Sequence, residues 1–184
     1  MVGTKARLSL ATTEAALAEL VSETRHRAAA GRSPSFPTAC RAGCAHCCHI
    51  RVDVTAPEVF TLKHWIDTHV ESAAHAALRA RVGKAAGAAA GLTEAEHARR
   101  RLACPLLVDG VCGVYAARPF DCEAYVSSDA GACANAFDAY AFRSLPLDFT
   151  GYAIYEKARR DLDVAAKALG RQAGVWELIP ASVD

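Results

Sequence analysis

The sequence predicts a mainly α, small single-domain fold with one short β-hairpin near 106–115, and three observations lead there. Alanine supplies 41 of 184 residues while aromatics reach only 7%, a balance that suits closely approaching helices better than sheets packed from bulky side chains. Apolar residues recur at helical spacing in several windows. The clearest strand signal is a lone Asp109-Gly110 between two β-prone triplets. A chain of this length closes one core and is short for two, so 1–184 reads as a single domain.

Each element has its own signal. Over residues 13–30, Leu17, Leu20, Val21, Thr24 and Ala28 form a helical stripe, with Thr12 or Thr13 as N-cap and Gly31 as the stop. The prolines and serines of "GRSPSFPTA" (31–39) predict an irregular connection. "TAPE" (Thr55 to Glu58) is a capping box with proline in the first turn. It opens one long helix whose stripe is Val59, Leu62, Ile66, Val70, Ala73 and Ala77, ended or frayed by the Ala/Gly run 83–91. A second box, "TEAE" (Thr93 to Glu96), starts a short helix ending near Cys104-Pro105. The Asp109-Gly110 turn then sets Leu107 opposite Cys112. A short helix over 133–143 is carried by Phe137, Tyr140 and Ala141. The last helix, 151–169, presents Tyr155, Ala158, Leu162, Ala165 and Leu169 on one face and stops at Gly170, after which "VWELIPA" tucks back on the core.

Charge excludes some partners. With 21 basic and 20 acidic residues the net charge is +1, so nothing global recruits nucleic acid or an anionic membrane. The runs Arg25-His26-Arg27 and Arg99-Arg100-Arg101 read as solvated helix faces, and His26, His64, His69, His75 and His97 as polar-face residues. "MVGTKARLSLATTEAAL" has no apolar stretch of secretory length, and no segment approaches the roughly 18 apolar residues of a membrane span. A cytoplasmic protein is therefore expected, where thiols stay reduced and eight cysteines read as metal ligands or redox groups before disulfides.

Those cysteines fall into two groups: Cys40, Cys44, Cys47 and Cys48, then Cys104, Cys112, Cys122 and Cys133. On a helix the first four would share an arc of roughly 100°, and a turn at Gly43 would converge them equally well. Thiolates suit Zn²⁺, Cu(I) or an iron–sulfur cluster, and Cys104 and Cys122 flank the hairpin cysteine at workable knuckle spacing. Adjacent cysteines seldom share one tetrahedral ion, so Cys47 and Cys48 serve different metals, or one of them binds none. His46 and His49 are candidate ligands beside the cluster; nothing near Cys133 in the sequence supports it as one.

"CRAGCAHCCHIRVDVTAPE" followed by "CPLLVDGVCGVYAARPFDC" resembles the zinc- or iron-chelating family named for its CxxCxxCC cluster, the YkgJ-type cysteine-cluster proteins. The likeness rests on Cys47-Cys48, the step Val52-x-Val54-Thr55-x-x-Glu58, Cys104-Pro105, Asp109-Gly110 before Cys112, and Tyr115-x-x-Arg118-Pro119-x-x-Cys122. It covers roughly 40–125, making that stretch a metal-binding core with flanking helices at 1–39 and 126–184. It implies Cys40, Cys44, Cys47, Cys48, Cys104, Cys112 and Cys122 as metal ligands, with Arg118 offsetting the charge of the thiolates. Two positions depart from the family pattern. Cys40 and Cys44 are three residues apart where the family often has CxxC, and Glu123 stands where it usually has arginine.

The expected function is thus a metal-binding protein holding zinc or iron, as single ions or as an iron–sulfur cluster, in a structural or redox role. The alternative is an iron–sulfur-dependent protein-modifying enzyme, because flagellin lysine-N-methylases are similar to this family in their cysteine cluster. The spacing Cys40-x-x-x-Cys44-x-x-Cys47 also occurs in radical S-adenosylmethionine enzymes, but those need a long strand–helix barrel that this chain does not predict. A disulfide-stabilised interaction module is the third reading, and adjacent Cys47-Cys48 fit it poorly.

Overall fold

The computed structural model describes residues 4–41, 43–139, 145–170 and 174–181. The fold is mainly helical, as the composition predicts. Helix α1 (Thr4–Ala30) buries Leu17, Val21, Thr24 and Ala28. It begins well before Thr12, so neither Thr12 nor Thr13 caps it; alanine-rich sequence on both sides lets the helix run through. Gly31 ends it, donating its N–H to Arg27 and Ala28.

The Thr55 capping box forms as expected, with the Thr55 N–H on Glu58 Oε2 at 2.8 Å. The long helix does not. It divides into α2 (Ala56–His69) and α3 (Ser72–Ala89), with Val70 and Glu71 extended between them. Side chains compete for the carbonyls there: His69 Nδ1 and Thr68 Oγ1 both bond the Trp65 carbonyl, at 3.0 and 3.2 Å, and His75 Nε2 bonds that of Val70. The Ala/Gly run stays helical to Ala89, and Gly91, at φ +73°, follows the end. Helix α4 (Glu94–Arg100) starts on the Thr93 box but stops four residues before Cys104, where Arg101 turns to φ 49°.

The hairpin of β2 (Leu107–Val108) and β3 (Val111–Cys112) has the expected register, Leu107 facing Cys112. Asp109 and Gly110 both take positive φ, the requirement of its tight turn. A second ladder was not foreseen: β1 (Asp53–Thr55) pairs antiparallel with β4 (Val175–Glu177), Val54 opposite Trp176. Helix α8 (Leu178–Ala181) follows, burying Leu178 and Ile179, so "VWELIPA" does fold back.

Helices α5 (Phe120–Ala124), α6 (Ala130–Ala139) and α7 (Phe149–Ala168) complete the chain. Helix α6 starts earlier than expected because Asp129 accepts the N–H of Ala132; Tyr140 and Ala141 lie outside the described residues. Helix α7 is capped by Asp148 on the Gly151 N–H. Its buried stripe is Tyr155, Ala158, Leu162 and Ala166, so Ala166 replaces the expected Ala165, and Leu169 is exposed. One apolar cluster joins α1, α5 and α7 through Val21, Phe120 and Leu162; another gathers Val54, Leu62, Leu106, Val114 and Leu178, with Cys104 and Cys112 packed against it. Among the described residues no helix is long and apolar enough to cross a membrane.

Candidate metal centre

The described residues of the run 40–48 do not form an α-helix. They are irregular through Ala45, with Gly43 at φ 84°, and close in a single 3₁₀ turn, His46–His49. That turn delivers Cys47 and Cys48 to a cavity of about 940 Å³. Six of the eight cysteines line it: Cys44, Cys47, Cys48, Cys104, Cys112 and Cys122. All eight are free thiols.

Backbone bonds bring the two cysteine motifs together. The Cys104 N–H donates to the Cys48 carbonyl at 2.8 Å, and the Gly113 N–H to the Leu106 carbonyl at 2.9 Å. The Leu107 N–H donates to the Cys104 carbonyl at 3.0 Å, and the backbone amides of Leu106 and Leu107 favour the thiolate at Cys104 as that of Val114 does at Cys112. Such donors stabilise a thiolate at the expense of the thiol. Burial works the other way, holding Cys104 up at about 12 and Cys112 above its ordinary range.

The step from Val52 to Glu58 and the stretch ending at Cys122 belong together for a physical reason. Glu58 Oε2 accepts from both the N–H and the hydroxyl of Thr55, while Oε1 accepts the Phe120 N–H at 2.7 Å. One carboxylate thereby caps α2 and begins α5. Asp121 adds a second tie, its Oδ2 accepting the Asp53 N–H at 3.1 Å. Burial raises both carboxyls, Asp121 to about 6, with Arg159 opposing the shift at each. Between these clamps Cys122 is pushed well up, by burial first and then by charge at Cys104, Cys48 and Cys112.

Cys47 and Cys48 behave differently. They share a hydrogen bond that keeps the proton on Cys47, whose thiol is raised further by burial and by Cys48, Cys122 and Cys40. Cys48 is lowered to about 7, chiefly by that bond and also by Arg118, against its own burial. The Arg118 guanidinium lies 3.9 Å from the centre of the Tyr115 ring, its Nε buried without a hydrogen-bond partner, and its charge lowers Cys48 and Cys112 alike. Arg118 lines the same cavity as these thiols.

Cys40 does not line the cavity. Its sulfur accepts the Ser127 N–H at 3.4 Å. Cys133 is buried in α6, with charge at Cys40 and Cys44 bearing on it. His46 and His49 face Phe137 of α6, at 6.0 and 4.8 Å between ring centres, and neither ring lines the cavity. His97 is no polar-face residue: it is 2% exposed, its Nε2 3.3 Å from Glu177 Oε1, and burial lowers its pKa.

Arg25 is likewise not a solvated residue. Its Nε reaches Glu123 Oε1 at 2.6 Å, its Nη2 donates to the Arg118 carbonyl, and its guanidinium lies over the Phe120 ring. Glu123 also accepts from the Tyr155 hydroxyl at 3.0 Å. Glu123 thus receives its counter-charge from α1. Arg101 too is engaged, donating to the Asp138 carbonyl and stacking on Phe137. The sequence did not mark the part of the cavity wall that α7 supplies with Tyr152, Glu156 and Arg159. Their only signal was three polar residues on one turn-spaced edge of the last helix.

Thiols are donors chemically suited to soft metals. Among the described residues, however, no group of three or more His, Cys, Asp and Glu side chains stands in a geometry that could hold a metal ion. Compared with known proteins, the chain matches no family model, no curated protein and no solved structure.

Proposed function

We propose that this protein binds zinc or iron, as single ions or as an iron–sulfur cluster, through Cys48, Cys104, Cys112 and Cys122, with Cys47 beside them. Its role is structural or redox, in the reducing cytoplasm where thiols remain available. One observation carries the reading: cysteines from three separate stretches face a single cavity that Arg118 also lines. Four thiolates around a divalent ion leave a charge of about −2, which the guanidinium and the amides offset. Binding would release the thiol protons and draw the four side chains inward. The bound group would supply either a fixed crosslink or an electron-transfer centre.

The test is purification without oxygen, followed by a visible spectrum and a metal count. A brown protein with several irons per chain supports a cluster, and a colourless one with stoichiometric zinc supports a structural site. Absence of metal together with eight fully reactive thiols overturns the reading.

A second reading, the iron–sulfur-dependent protein-modifying enzyme, is favoured by the reach of the cavity. At about 940 Å³ it is as large as a pocket for a sizeable organic ligand, and Tyr152, Glu156 and Arg159 line it along with the thiols. Loss of substrate turnover, with metal retained, in a Tyr152→Phe or Arg159→Met variant would favour this reading over a purely structural one.

A further inference from the structure

We propose that Arg118 holds the carboxylate of a small organic acid whose apolar or aromatic body lies in the large cavity. The inference rests on the second reading above, in which that cavity receives an organic ligand, and goes further by naming the ligand's chemical class.

The charges on the cavity wall carry it. Four arginines line the cavity, Arg41, Arg51, Arg118 and Arg159, together with four carboxylates, Asp53, Glu94, Asp121 and Glu156. Three of those carboxylates sit on two of the arginines. Arg51 Nε meets Asp53 Oδ1 at 3.1 Å, while Arg159 has Glu156 Oε1 at 2.8 Å and Asp121 Oδ1 at 3.7 Å. The side chains of Arg41 and Arg118 make no ion pair or hydrogen bond among the described residues. Arg41 is exposed and water can serve it; Arg118 is half-buried. A guanidinium keeps its charge at any physiological pH, and a partly desolvated one without a counter-charge is costly. Geometry shows which of its groups are free. The Tyr115 ring covers one face of Arg118, its centre 3.9 Å from the guanidinium carbon, and Nε is buried against the protein. That leaves Nη1 and Nη2 for a ligand, and their N–H groups match the two oxygens of a carboxylate.

A carboxylate fits this place better than a phosphate. Phosphate sites use several backbone N–H groups converging on one point. Beside Arg118 those groups are missing or spent: Pro119 has none, the Ala117 N–H goes to the Val114 carbonyl, and the Phe120 N–H goes to Glu58. The carboxylates on the same wall also oppose a doubly charged ligand more than a singly charged one. The body of the acid has a surface to cover. Phe149 and Tyr152 line the cavity, neither ring packs on another ring among the described residues, and Phe149 is 68% exposed. One exposed phenylalanine is ordinary, but apolar rings sharing a cavity with an unpaired cation are the usual furniture of a pocket for an organic anion. Thiolates at the metal site would not exclude the acid, because a guanidinium has five N–H donors on several edges.

The test uses the full reduced chain, purified without oxygen and with its metal content recorded, and titrates it with phenylacetate, the neutral phenylacetamide and phenyl phosphate, followed by ligand-observed NMR. Phenylacetate is expected to bind about tenfold more tightly than the amide, the worth of one charge-assisted contact. Arg118→Met should abolish that preference, and Arg118→Lys, which keeps the charge without the fork, should retain part of it. The comparison of acid with amide in wild type needs no variant, so it decides the matter even if a variant does not fold. Equal binding of acid and amide overturns the inference and leaves the cavity as a pocket for neutral organic ligands. Tighter binding of phenyl phosphate than of phenylacetate overturns it too, as does an acid preference that survives in folded Arg118→Met. If none of the three binds, the second reading falls and this inference falls with it, whatever the metal content.

Discussion

Val21, Phe120, Tyr155 and Leu162 pack α1, α5 and α7 into one half of the molecule, while Val54, Leu62, Leu106 and Leu178 gather strands and turns around the cysteines in the other. The first half is held by long helices, each burying a continuous stripe, with a polar latch of Arg25, Glu123 and Tyr155 across them. In the second half no strand among the described residues exceeds three residues, and its order comes from single hydrogen bonds: Glu58 on Phe120, Asp121 on Asp53, Cys104 on Cys48. Helical packing supports itself; the cysteine half depends on a few polar ties and, on our reading, on metal.

Phe120 belongs to both halves, and its removal should have the largest effect. Its ring is fully buried between Arg25 and Tyr155, and its amide is the donor that Glu58 holds. Phe120→Ala should cost about 3–5 kcal/mol, read as a lower denaturation midpoint together with faster alkylation of Cys122. Midpoint loss without a change at Cys122 would mean that the halves are not joined there.

Glu58 discriminates more sharply. Glu58→Gln places an NH₂ against donors and should cost about 3 kcal/mol, since at least one buried amide loses its acceptor. Amide exchange should quicken around Phe120 and Cys122 while Val21 and Leu162 keep their protection. A pH signature accompanies it. Because burial raises the folded pKa of Glu58 above its usual 4.5, the folded state keeps a proton that the unfolded state has lost between those two values. Glu58 therefore makes stability fall as pH rises through that window, and this part of the slope should vanish in Glu58→Gln.

What could be read from the sequence divides along the same line. Local signals were legible: both capping boxes, the hairpin register of Leu107 with Cys112, and the α1 stripe all follow from residues within one or two turns. Long-range partners were not. Arg25 sits in a basic run that looks solvated, and its carboxylate lies 98 residues away. The pairing of β1 with β4 joins three-residue strands too short for periodicity to show. The break at Val70 escaped because the apolar stripe continues in phase across it, and only the side chains on the Trp65 carbonyl end the helix. At the candidate site, the cavity-facing cysteines and Arg118 were marked by spacing and by resemblance. The contact of Cys40 with Ser127 was not, because the two lie 87 residues apart.

The latch of the helical half offers the next test. Arg25 and Glu123 side chains are 22% and 11% exposed, so removing either partner strands a partly buried charge. Arg25→Met or Glu123→Gln should each cost about 2 kcal/mol, and the double variant less than their sum. Metal content should be unchanged if the latch serves α1, α5 and α7 alone. A parallel loss of metal would show that Arg25, through the Arg118 carbonyl, also holds the cation beside Cys48 in place.

The smallest effect is expected at the hairpin tip, where it isolates the cysteine half most cleanly. Gly110 takes φ +77° and has open space around it, so a Cβ there meets no neighbour and the cost is backbone strain alone. Gly110→Ala should lose about 1 kcal/mol. Cys112 lies two residues on, in register with Leu107, and lines the cavity with the other thiols. A reshaped turn should therefore speed alkylation of Cys112 and leave Tyr155 and Leu162 as protected as before. If Cys112 keeps its wild-type rate despite the loss of stability, the tip and the thiol are independent, and the order of this half comes from the Glu58 clamp rather than from its turns.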